Sequence, residues 1–97
     1  MERATPSDDD LVRLVRAGNR SSYEELMKRH GPMVYAYSRS RLAAEVDARE
    51  LTQDTLVEAY LSLDRYEPGT HFAGWLRSIA LKSDRWVTVG RGHRIPN

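Results

Sequence analysis

Cysteine is absent from the 97 residues. That excludes disulfides and cysteine metal sites, and it fits a reducing compartment. No apolar run approaches the roughly 18–20 residues a membrane span needs, so no membrane partner is expected. Met1 to Asp10 is polar and acidic, so it does not read as a secretory signal. A cytoplasmic location is the default expectation. Histidine is scarce: His30, His71 and His93 stand far apart, none at metal-ligand spacing from another. Gly69, Gly90 and Gly92 fit neither the dinucleotide nor the P-loop pattern. With no converging nucleophile, base and acid, the sequence predicts no catalytic residue, no metal and no cofactor, hence no enzyme.

What is present is charge, unevenly distributed. The net charge is only +1. From Ala44 to Asp64, however, Glu45, Asp47, Glu50, Asp54, Glu58 and Asp64 face a single base, Arg49. From Arg65 onward, Arg65, Arg77, Lys82, Arg85, Arg91 and Arg94 outnumber Glu67 and Asp84. A negative segment therefore precedes a positive one. Two solvated faces would explain this, and so would two partners of opposite charge. A chain of this length is one domain that buries only about 60% of its unfolded surface, so a partner can add to its stability.

The periodicity predicts an all-α fold, a compact bundle of about four helices over 1–86, followed by a flexible tail over 87–97. Ser7 is the expected N-cap of a short first helix. Leu11, Leu14 and Val15 form its apolar stripe, and Gly18-Asn19 its stop. A second helix starts near Ser21, with Ser21–Glu24 or Ser22–Glu25 as a capping box. Gly31-Pro32 interrupts it, but Met33, Val34 and Tyr37 resume the period, so one kinked helix or two helices are both open. A third runs from about Glu45 to Leu63, with Val46, Leu51, Leu56, Ala59, Tyr60 and Leu63 inward. Its acids at 47, 50, 54 and 58 share one face. After the turn at Pro68-Gly69, a fourth begins near His71 and carries Phe72, Trp75, Leu76, Ile79 and Ala80.

Three stretches together resemble region 2 of extracytoplasmic-function sigma factors, of the sigma-70 family. The first is Asp9-Asp10-Leu11-Val12 with Ala17-Gly18-Asn19 and Tyr23-Glu24-Glu25-Leu26. The second is Asp47-Ala48-Arg49-Glu50-Leu51-Thr52-Gln53-Asp54-Thr55-Leu56. The third is Leu63-Asp64-Arg65-Tyr66, then Phe72-Ala73-Gly74-Trp75-Leu76, Ile79 and Ala80. The resemblance implies a domain that binds the clamp helices of the largest subunit of core RNA polymerase. It also implies recognition and melting of the promoter minus-ten element, chiefly as single-stranded non-template DNA. An anti-sigma factor is a further implied partner. Position by position, Asp47, Glu50, Leu51, Gln53, Asp54 and Glu58 match the polymerase-gripping helix. Tyr66, Thr70 and His71 match the loop that holds a flipped base, and Phe72 and Trp75 match the strand-opening region. Arg77, Lys82 and Arg85 would meet phosphates. Core packing competes with these roles at Leu51, Phe72 and Trp75, and simple pinning of the loop competes at Tyr66.

The chain departs from the resemblance after Ile79-Ala80. The family continues with Arg-Asn, whereas this chain reads Leu81-Lys82-Ser83-Asp84-Arg85-Trp86. Region 4 is expected to be absent, and binding to duplex promoter is therefore expected to be weak. Three readings follow: a promoter-opening domain, a sigma-like decoy that binds polymerase or an anti-sigma factor without DNA, and an unrelated helical bundle.

Overall fold

Ser7 caps the first helix as its side chain predicts. Its Oγ accepts from the Asp10 amide at 3.0 Å, and Asp10 Oδ2 accepts from the Ser7 amide at 3.3 Å. This reciprocal box satisfies two amides that the helix start leaves open, and the three aspartates favour the positive end of the helix dipole. Helix α1 spans Asp8–Arg16. The computed structural model describes residues 5–86, and the side chains of 5–83. The tail predicted over 87–97 lies outside the described residues.

Gly18 ends α1 at φ +105°, a conformation that favours glycine. The Gly18 amide reaches the Val15 carbonyl and the Asn19 amide the Leu14 carbonyl, both at 2.9 Å. That pair of bonds is a Schellman stop. The inward residues of α1 are Leu11 and Val12, while Leu14 is 42% exposed, which corrects the predicted stripe.

Helix α2 spans Ser21–Arg41 without the predicted capping box. Arg20 occupies the N-cap in helical conformation, so the serines fall inside the helix rather than before it. Ser21 Oγ donates to Asn19 Oδ1 at 2.7 Å, and Ser22 is buried. Pro32 sits within one continuous helix, on its exposed side. This settles the choice between one helix and two.

Helix α3 spans Glu45–Leu61, a 3-10 turn follows at Leu63–Arg65, and α4 spans Phe72–Trp86. The fold class is all-α, with four helices and no strand among the described residues. Leu11, Val12, Tyr23, Leu26, Val34, Ala59, Leu63, Tyr66, Phe72, Leu76 and Ile79 form the main core. Leu42 and Leu51 form a smaller one. Ser38 and Ala48, both fully buried, bring α2 and α3 close. There Ser38 Oγ donates to the Val34 carbonyl at 2.9 Å, and Thr52 Oγ1 donates to the Ala48 carbonyl at 2.8 Å. Each hydroxyl thereby satisfies itself on its own helix. No helix among the described residues is long and apolar enough to cross a membrane.

Candidate functional site

The buried line of α3 is Ala48, Leu51, Thr55 and Ala59, each fully inaccessible. Asp47, Glu50, Asp54 and Glu58 each precede one of these by a single residue. One residue is a rotation of about 100°, so the acids run beside the buried line rather than opposite it. Of the four, Asp47 and Asp54 are half-buried and Glu50 and Glu58 are exposed. Leu51 lies wholly within the fold against Leu42. In the domain by itself this side chain packs inside and supports the helix.

The apolar positions off the buried line point elsewhere. Val46, predicted inward, is 62% exposed, and Val57 and Leu61 are 57% and 71% exposed. A groove of about 500 Å³ runs beside Val57 between α2 and α3. Tyr23, Met27, Leu56 and Tyr60 are its apolar residues, and Arg20, Glu24, Gln53 and Val57 complete the lining. Tyr23 and Tyr60 meet with ring centroids 5.1 Å apart. The Tyr23 hydroxyl donates to the Leu56 carbonyl at 2.5 Å, and burial pushes this phenol well above its usual range. The groove thus has a fixed aromatic wall beside an acidic flank. Sequence reasoning found the acids and Gln53 but missed Val57, Leu61 and the whole α2 wall. The available signal was that Val57 and Leu61 fall outside the 48, 51, 55, 59 spacing.

The second predicted site is the loop between the 3-10 turn and α4. Tyr66 and Phe72 are 2% and 3% exposed, so in the domain by itself both rings are packed inside. Their rings pack edge to face at 5.2 Å, and Trp75 adds tilted contacts at 5.4 Å to Tyr66 and 5.7 Å to Phe72. Edge and tilted packings of this kind suit the charge distribution of aromatic rings. Trp75 is half-buried and keeps part of its ring at the surface. Glu67, Thr70, His71, Arg77 and Lys82 are exposed, and the side chain of Arg85 lies outside the described residues.

Two residues of α1 hold this loop. Asp9 Oδ1 accepts from the Tyr66 hydroxyl at 2.7 Å, and Asp9 Oδ2 accepts from the Gly69 amide at 2.8 Å. Arg16 Nη2 donates to the Leu63 carbonyl at 2.6 Å and also to the Tyr66 carbonyl. The Tyr66 hydroxyl and the Gly69 amide hold the Asp9 carboxyl below its usual range, with Arg13 adding to them against a small opposing effect of burial. Burial first, and the Asp9 bond second, push the Tyr66 phenol up, so it remains a donor at neutral pH. Within the loop, Gly69 takes φ +97° and Thr70 Oγ1 donates to the Glu67 carbonyl at 2.7 Å. His71 then caps α4: its Nδ1 accepts from the Gly74 amide at 3.1 Å. That bond requires a lone pair on Nδ1, so a neutral ring carries its proton on Nε2.

The sigma-70 region 2 family model matches residues 26–83, which is more than half of the chain. The chain belongs to the sigma-70 region 2 family. It is 34% identical over 82 residues to RNA polymerase sigma factor CnrH of Cupriavidus metallidurans, covering 82% of this chain and 43% of that protein. With RNA polymerase sigma factor CarQ of Myxococcus xanthus it shares 36% over 70 residues, covering 72% of this chain and 40% of the relative. With ECF RNA polymerase sigma factor SigE of Mycolicibacterium smegmatis the identity is 38% over 58 residues, covering 60% and 22% respectively. The chain therefore spans less than half the length of these relatives. The region 2 match takes in α3, the loop and α4 as far as Ser83, but begins at Leu26 and so leaves α1 outside it. The residues that anchor the region 2 loop to the rest of the domain thus lie beyond the matched span.

Proposed function

We propose that this region 2 domain is a non-enzymatic transcription initiation module. It docks on core RNA polymerase through α3 and presents the 66–71 loop and the basic face of α4 to the promoter minus-ten element. The observation that carries the reading is the outer surface of α3. There, exposed apolar side chains, Val57 and Leu61, stand beside Gln53 and the acidic row. Exposed apolar groups with a charged rim are what a helical partner with a basic surface needs. On such a surface the rim charges speed association and a few central contacts set the lifetime. The clamp helices of the largest polymerase subunit are the proposed partner. The Tyr23–Tyr60 groove would receive an apolar side chain from it.

On the DNA side, Thr70 and His71 offer polar edges for a base taken out of the stack, and the open part of Trp75 offers a stacking surface. Arg77 and Lys82 supply phosphate contacts, which add salt-dependent affinity without reading sequence. The test is capture of core polymerase by the wild-type chain, by Gln53→Ala with Asp54→Ala, and by Val57→Asp. Both variants should lose at least tenfold in affinity while their helical circular-dichroism signal stays. Unchanged capture by both would refute the docking face. The departure from the family pattern over 81–86 favours one second reading, a sigma-like decoy that binds polymerase or an anti-sigma factor without DNA. Capture of polymerase with no binding of single-stranded minus-ten oligonucleotides at low salt would select that reading.

A further inference from the structure

We infer that Asp9 and Arg16 are positioning residues of the promoter-reading loop, setting which base it accepts without touching DNA themselves. The inference rests on the proposed role of the 66–71 loop and adds what controls its shape. Asp9 and Arg16 are seven residues apart on α1, close to two turns, so they share one face about 10 Å apart. The two ends of that face carry opposite hydrogen-bonding characters. Asp9 takes two donors, the Tyr66 hydroxyl and the Gly69 amide. Arg16 gives to two acceptors, the Leu63 and Tyr66 carbonyls. Together they fix the chain at 63, 66 and 69, immediately before the exposed Thr70 and His71. Gly69 has φ +97° and its amide donates to Asp9, while the Thr70 amide and hydroxyl donate to the Glu67 carbonyl within the loop. The α1 bonds are thus the side-chain contacts that tie Gly69 to another element.

The chemistry of these contacts argues for position rather than bulk stability. Charge-assisted bonds are directional, and each of these ends on a loop atom. A base accepted by polar edges is discriminated by the placement of those edges to a fraction of an ångström. A shift of Gly69 moves the Thr70 hydroxyl and the start of α4, where the His71 ring is already committed to the Gly74 amide. Loss of the α1 contacts should therefore blur base choice more than it weakens binding.

The experiment has two arms, on the complete chain. The first follows amide hydrogen exchange at Gly69 and Thr70 in the free protein, for wild type, Asp9→Ala, Arg16→Ala and Arg16→Lys. The second measures binding of polymerase carrying each variant to single-stranded oligonucleotides with all four bases at every position. The readout is the affinity ratio between best and worst base, with Leu14→Ala, at a 42% exposed position, as a control on the same helix. Both alanine variants should speed loop exchange at least tenfold and cut the ratio at least fivefold. Arg16→Lys, which keeps a donor for both carbonyls, should recover part of each. Three outcomes overturn the proposal. Unchanged Gly69 exchange in both alanine variants shows that α1 does not hold the loop, whatever DNA does. Faster exchange with an unchanged ratio shows that the loop's position does not govern base choice. A wild-type holoenzyme indifferent to the base removes the reading function itself, and this is recognised because the exchange arm still responds.

Discussion

Leu51 illustrates how one side chain can be read in two ways. It sits in the most family-like segment, among residues proposed to face a partner, yet it is wholly buried against Leu42. Leu51→Ala should destabilise the domain by about 2–5 kcal/mol through lost burial and an incompletely closed cavity. Chemical denaturation should show this as a lower midpoint. Polymerase affinity per folded molecule should remain close to wild type. Asp9 gives a prediction in pH. Its carboxyl is held below the usual value of 3.8, first by the Tyr66 hydroxyl and then by the Gly69 amide. A depressed value in the folded state means that the unfolded chain takes up the proton first as pH falls. The contribution is then complete above about pH 4 and is lost as pH falls through the folded value. Thermal midpoints measured down the acid range should fall less steeply for Asp9→Asn than for wild type.

At the scale of elements, α4 begins because a histidine ring takes the place usually held by serine or aspartate. His71→Ala leaves the Gly74 amide without its side-chain acceptor, and a lost cap of this kind costs about 0.5–2 kcal/mol. His71→Asn should restore most of it, as read by urea midpoints. A serine cap was visible in the sequence at Ser7, because serine before three aspartates is common helix-start chemistry. The sequence marks His71 as the start of α4 and as a base-reading edge but not as a cap, because an imidazole at a helix start has no fixed meaning until its Nδ1 is placed. The capping boxes expected at Ser21 and Ser22 failed for a neighbouring reason. The Schellman stop at Gly18 turns the chain so tightly that Arg20 is already helical. Helix existence and order were legible throughout, because apolar spacing records which face each helix buries. The side of α3 was less legible. Val46, Val57 and Leu61 are apolar in composition but exposed in place, and only the position of α2 decides which apolar residues become surface.

For the whole molecule, charge separation along the chain becomes separation in function only under the proposed reading. The acidic row of α3 and the bases Arg77 and Lys82 of α4 are to serve different partners. Salt should then act on the two complexes differently. Binding to single-stranded DNA should weaken steadily with ionic strength, as phosphate contacts release counterions. Binding to polymerase should lose mainly association rate, because its lifetime rests on groove contacts. Surface-plasmon measurements from about 50 to 200 mM salt would separate these patterns, and a polymerase dissociation rate rising in step with the DNA complex would argue against them.

The grip of α1 on the loop also has a consequence in time. Asp9 bonds to Tyr66 and Gly69 across 57 and 60 residues, and Arg16 to Leu63 across 47. Contacts closed over such spans form late, because the intervening chain must first lose its freedom. On a ribosome the first helix emerges before the loop and waits for it while the residues between them are made. The surface proposed to choose a base would then be among the last parts of the domain to exist, assembled only when its two ends meet.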